Sequence, residues 1–154
     1  MSQHDISGVR VPPPLFYVAG FVLGVALEVI WPIDSLPLAI RLAGAVIGVG
    51  LWLALDGAAM LRFRHAGTSM APFVPTTALV TSGPYRFTRN PMYLGMAVLY
   101  AGLALATEVI WALIFLPLVI AAVDQLVISR EEGYLVRKFG DPYCEYMARV
   151  RRWF

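Results

Sequence analysis

Apolar residues fall in long blocks broken at a few polar points, and the blocks have the length of membrane crossings. Leu15 to Trp31 is interrupted only by Glu28 and ends at Pro32. Leu36 to Leu61 carries Arg41 near its start and Asp56 near its end. Met92 to Thr107 is a shorter run, and Val109 to Ile128 contains one acid, Asp124. A helix needs about 20 apolar residues to cross a bilayer core, with a range of about 17 to 25. The pattern therefore predicts four transmembrane helices, at 15–31, 36–61, 92–107 and 109–128. Only Thr107 and Glu108 separate the last two, which predicts a tight helical hairpin. Beyond Ile128 the chain turns charged and aromatic. Two short amphipathic helices are expected in 129–154, separated at Gly140-Asp141-Pro142 and ending in a basic, aromatic cluster suited to the headgroup layer.

Composition sharpens this picture. The 154 residues are 59% hydrophobic and 14% charged, where soluble domains run to about half and a quarter. The fold class is thus all-α, a polytopic membrane bundle forming one domain over 1–154. The net charge of +2 gives no reason to expect a nucleic-acid partner. A single cysteine, Cys144, excludes an internal disulfide, and His4 and His65 lack ligand spacing, so no metal is expected. The first apolar run lacks a small-residue cleavage site at its end, so no cleaved leader is expected.

The bases set the orientation. With four crossings, one side carries Arg41 alone. The other carries Arg10, Arg62, Arg64, Arg86, Arg89, Arg130, Arg137, Lys138, Arg149, Arg151 and Arg152. Positive residues stay on the cytoplasmic side, so both termini, the loop 62–91 and the segment 129–154 are expected there, in an inner membrane.

Small residues and acids supply the next signals. Gly20 with Gly24, and Gly44 with Gly48, have the spacing of close helix packing, within the chain or between copies in a homo-oligomer. Among the acids, Glu28, Asp56 and Asp124 are costly in lipid and so mark candidate sites, though the first two lie near span ends and have a structural reading as well. Asp124 precedes Glu131 by seven residues, which aligns the two on one face of an unbroken helix. Glu131 and Glu132 by themselves read as a solvated helix end beside Arg130 and Arg137.

The stretch "TSGPYRFTRNPMYLG", residues 81 to 95, is more than a connector. Gly83-Pro84 and Asn90-Pro91 are turn signals. Pro91 suits the first turn of a helix and Asn90 its N-cap, which leaves free N–H groups and a positive dipole end beside Arg86 and Arg89. With the rings of Tyr85 and Tyr93, this describes a pocket for an anionic group next to a flat or cationic one.

That stretch and the later "REEGYLVRKFGDPYCEYMARVRRW" together resemble the isoprenylcysteine carboxyl methyltransferases and the related bacterial phospholipid methyltransferases, over about residues 77 to 152. The resemblance implies an S-adenosyl-L-methionine-dependent membrane enzyme acting on a lipophilic small molecule or lipid among membrane lipids. By position, the cofactor would touch Thr77, Ala78, Leu79, Val80, Tyr85, Asn90, Pro91, Met92, Tyr93 and Glu131. Arg89, at the helix mouth, is the candidate for its carboxylate. An amine acceptor must lose a proton, and Glu132 and Asp124 are the candidate catalytic bases. Asn90 stands where the prenylcysteine enzymes have histidine, and Val127 where they have a substrate-contacting arginine. The first excludes any role that needs a protonated imidazole, and the second points away from a prenylcysteine carboxylate. Two other readings remain: a nicotinamide-dependent membrane reductase related to sterol reductases, and a non-enzymatic protein that packs on a partner through its glycine faces.

Overall fold

The computed structural model describes residues 8, 9, 11–33, 35–69 and 74–153; Arg10 and His4 lie outside them. All regular structure among the described residues is helical. Helix α1 spans Pro14–Ile30, α2 Leu38–His65, α3 Pro91–Thr107 and α4 Ile110–Val123. A single 3-10 turn, Gly83–Arg86, lies in the connection between α2 and α3. Two helices, Leu38–His65 and Ile110–Phe139, are long and apolar enough to cross a membrane, and the shorter apolar helices Pro14–Ile30 and Pro91–Thr107 pack alongside them.

The four helices run up and down. At the end away from both termini, Glu28 accepts hydrogen bonds from the Ile33 amide (2.7 Å) and the Trp111 amide (3.2 Å). Glu108 accepts from the Leu36 amide (3.0 Å) and pairs with Arg41 (3.1 Å). Trp111 Nε1 donates to the Trp31 carbonyl (2.8 Å). These contacts bind both loops of that end together. Glu108 itself adopts the left-handed conformation (φ 62°) that lets α3 stop and α4 begin within two residues.

Helix contact is made through missing side chains. A Cβ on Gly48 would lie 2.7 Å from Gly102 Cα, backbone against backbone, and Gly44 meets Leu105 of the same helix. Gly24 lies equally close to Ala112 of α4, and a Cβ on Gly20 would overlap Val119. Both glycine pairs are therefore consumed by packing inside the chain. The outward faces are apolar instead: Val29 is 80% and Val46 72% exposed. Such a surface suits hydrocarbon rather than water.

The end of α4 differs from the sequence expectation. No break follows Ile128. Five residues in π-helical geometry, Asp124–Ile128, lead straight into α5, Ser129–Phe139, so one helix continues from 110 to 139. A π-turn inserts one extra residue per turn and so shifts the register by one. Glu132, not Glu131, falls in line with Asp124, and the two share one partner, Arg152. Gly140, at φ 60°, then turns the chain into α6, Asp141–Arg149.

Candidate functional site

At the terminal end of the bundle, the loop after α2, the start of α3, α5 and α6 enclose a cavity of about 550 Å³. That volume is in the ordinary range for small-molecule and cofactor sites. Of the residues expected at the cofactor, Ala78, Leu79, Val80, Tyr85, Arg89, Asn90, Met92, Tyr93 and Glu131 line it, as does Glu132. Thr77, Pro91 and Asp124 do not. Thr77 is exposed and bonded to the Thr68 hydroxyl and the Gly67 carbonyl, holding the loop. Pro91 is buried at the first turn of α3.

Two layers of tyrosine build the wall. The Tyr146 hydroxyl donates to the Tyr85 carbonyl (2.7 Å), and Phe63 of α2 meets the Tyr85 ring edge-on. The Tyr134 hydroxyl accepts the Thr76 amide (3.2 Å), tying the loop to α5. Burial raises the phenol pKa of Tyr85, Tyr143 and Tyr146 alike, so all three stay neutral hydrogen-bonding groups. Sequence reading missed Tyr134, Tyr143 and Tyr146. Their only signal was recurrence on helices α5 and α6, where an interfacial belt is the simpler interpretation.

The helix mouth is organised by the residues after α6, which correct three expectations. Asn90 makes no side-chain cap. Its Nδ2 donates to the Arg152 carbonyl (3.0 Å), and the Thr88 hydroxyl donates to the same oxygen (3.0 Å). Arg89 is largely engaged by the protein: its guanidinium pairs with Glu132 (3.0 Å) and donates to the Met147 carbonyl (3.2 Å). Its Nε alone remains buried without a partner. Third, the basic and aromatic cluster turns inward rather than toward headgroups. The Arg152 side chain bridges Glu132 and Asp124, and Trp153 Nε1 donates to Asp124 (2.9 Å).

The two acids read as bases are therefore engaged. Glu132 is buried between two guanidinium groups, and Asp124 is held by Arg152 and Trp153 outside the cavity. Both carboxylates have their oxygens taken up by these ion pairs and hydrogen bonds. Arg130 and Arg137 pair with neither glutamate; Arg130 donates to the Gly8 carbonyl.

Glu131 is held differently. Its sole protein partner among the described hydrogen bonds is the Tyr93 hydroxyl, which donates to both carboxylate oxygens (2.9 and 3.0 Å). Glu131 stands beyond the apolar part of the long helix, which ends at Ile128. Burial pushes its carboxyl up to about 7; the Tyr93 hydrogen bond opposes this, and the neighbouring Glu132 charge adds to it. Tyr93 is fixed in turn, because Tyr17 of α1 donates to its carbonyl (2.9 Å).

Another part of the cavity wall is mostly apolar, and of its residues the sequence marked only Asp56. Pro14, Trp52, Met96 and Leu99 line it together with Asp56, the acid of α2. Glu28, the other acid of the early helices, is spent on structural bonds at the far end.

Comparison with known proteins bears on this arrangement. The PEMT phospholipid methyltransferase family model matches residues 38–142, about two thirds of the chain and more than the half that carries the recognisable motifs. Over 34 residues, the chain is 53% identical to a protein of Haemophilus influenzae named only as uncharacterized. That stretch is 22% of this chain and 54% of the relative, so the chain spans about half the length of the curated relative it matches. The matched region takes in α2, the cavity loop, the mouth of α3 and the α5 glutamates: the chain belongs to the phospholipid methyltransferase family.

Proposed function

We propose that the protein transfers a methyl group from S-adenosyl-L-methionine to a lipophilic acceptor at the cytoplasmic face of the inner membrane. One observation carries this reading: Glu131 of α5 and Tyr93 of α3 meet across a single cavity, with the motif residues around them. When bound, S-adenosyl-L-methionine supplies a methyl group activated on a positively charged sulfur. The residues present fit such a ligand. Glu131, when ionised, has lone pairs to spare for the ligand's ammonium. The buried Arg89 Nε is a donor with no protein partner. Leu79 and Val80 offer an apolar wall for a purine ring.

The remaining residues position and enclose. Glu132, Asp124, Arg89 and Arg152 form a closed ion-pair set that fixes the α3 mouth against α5, and this shaping is their role in place of proton transfer. Exclusion of water favours reaction at a charged centre that disperses its charge. The basic bias of the terminal end supports its cytoplasmic location, and the alternating direction of α1 to α4 supports four crossings. The test is calorimetric titration of detergent-solubilised protein with S-adenosylhomocysteine and, separately, NADPH. The expected result is binding of the first alone. Glu131→Ala should weaken it tenfold or more, as loss of a charge-assisted hydrogen bond of about 1.5–3 kcal/mol requires. Undiminished affinity in that variant would overturn the assigned site.

A further inference from the structure

The outer side of α2 carries a second hollow, separate from the functional cavity. Trp52, Asp56 and Phe63 of this helix line that cavity. Ala54, Ala58 and Leu61, on the other side of the same helix, line an open groove of about 540 Å³. Pro84 and Phe87 of the following loop form its second wall, and Arg62 and His65 stand at its terminal end.

The two ends of the groove differ in chemistry. Toward the middle of α2 its walls are apolar, and Phe87 lies 79% exposed beside them. Past Leu61 the apolar run gives way to Arg62, Arg64 and His65. The Arg62 side chain lies across the loop: Gly83 holds φ 64°, and a Cβ there would sit 2.7 Å from Arg62 Nε. The described ion pairs take in Arg41, Arg89 and Arg152, but not Arg62, Arg64 or Arg86. The surrounding chain offers these bases no partner, since 57–107 contains no acidic residue.

An unpaired guanidinium at the edge of an apolar lane is complementary to a phosphate carried on a hydrocarbon chain. Water fits the lane poorly, because its walls are apolar. A two-fold contact with a second copy through this face would set the same bases against one another. A zwitterionic headgroup would bring a cation to a surface that has no acid to receive it.

We propose that the groove seats an anionic phospholipid of the surrounding leaflet, with its phosphodiester on Arg62 and one acyl chain along Ala54 and Ala58. The turn Gly83–Arg86, part of the groove wall, also carries Tyr85 into the functional cavity. The bound lipid thus braces that cavity from outside. The site lies apart from the methyl-transfer cavity and stands without that reading.

Protein in neutral detergent is titrated calorimetrically with dioctanoyl phosphatidylglycerol, dioctanoyl phosphatidylcholine and glycerol phosphate. Wild type should bind the anionic lipid about tenfold more tightly than the zwitterionic one, and glycerol phosphate not measurably. Arg62→Gln, at an exposed position, should bring the two lipids level while keeping the wild-type unfolding temperature in lipid-free detergent. Ala58→Trp, which fills the lane and leaves the bases untouched, should weaken both lipids. Equal binding of the two lipids by wild type, or a preference that survives Arg62→Gln, would overturn the proposal. So would glycerol phosphate binding as tightly as the lipid, which would assign the site to a free phosphate. A wild-type dimer that Ala58→Trp dissociates would give the groove to a second copy and overturn it equally.

Discussion

The two ends of the bundle use the same residue types to opposite purposes. At the far end, Glu28 and Glu108 spend their carboxylate oxygens on loop amides and Arg41, so the charges serve as stitching. At the terminal end, Glu132 and Asp124 are stitched in the same way, but Glu131 is met only by a tyrosine hydroxyl and Asp56 leaves one oxygen unanswered. The far end closes its polar accounts; the terminal end leaves two open beside a cavity. An acid in a membrane protein is therefore informative only once its partners are counted.

That contrast can be broken or sharpened experimentally. The largest effect is expected from the packing both ends depend on. Gly48→Val places a branched side chain against the Gly102 backbone, where nothing can yield. It should abolish recovery of a monodisperse folded species by size-exclusion chromatography in detergent. Arg152→Ala comes next, since it strips a partner from buried Glu132 and from Asp124 at once. Arg89 still holds Glu132, so the loss should be about 2 kcal/mol rather than the 3–5 typical of an orphaned buried charge. It is read as a drop of several degrees in unfolding temperature, accompanied by weaker S-adenosylhomocysteine binding.

Smaller still is the response to pH. Only the ionised Glu131 can hold an ammonium, and its carboxyl titrates at about 7 in the unliganded site. Affinity for S-adenosylhomocysteine should then fall as pH drops through 7, approach a tenfold loss per unit below it and level off above. Glu131→Gln should flatten that profile. The smallest effect belongs to the far end: Arg41→Ala breaks a half-exposed pair worth about 0–1 kcal/mol and should leave ligand affinity unchanged. A loss of affinity there would erase the distinction between the ends.

Much of this was legible in the chain. The apolar blocks announce the helices, and Thr107-Glu108 announces the turn, because burial and helix length are properties of composition and run length. The motif residues from Leu79 to Tyr93 lead to the cavity because turn chemistry is local. Three features lay beyond reach for physical reasons. The π-turn at Asp124–Ile128 has no residue signature, yet it exchanges Glu132 for Glu131 as the neighbour of Asp124. The inward turn of Arg152 and Trp153 depends on partners some 20 to 30 positions earlier, and a basic, aromatic cluster reads equally well as a headgroup anchor. Asp56 was visible as a costly acid in an apolar helix, but the room it occupies is left by Gly95, a residue on another helix.

The clamp made by Arg152 has a further consequence in the order of biosynthesis. Helices α1 to α4 are translated before Arg151 and Arg152, yet the backbone carbonyls of those two residues hold Arg89, Thr88 and Asn90 in place. A chain stopped just short of them would leave the mouth of α3 unlatched. Closure of the cavity mouth thus depends on residues translated after all the helices that line it.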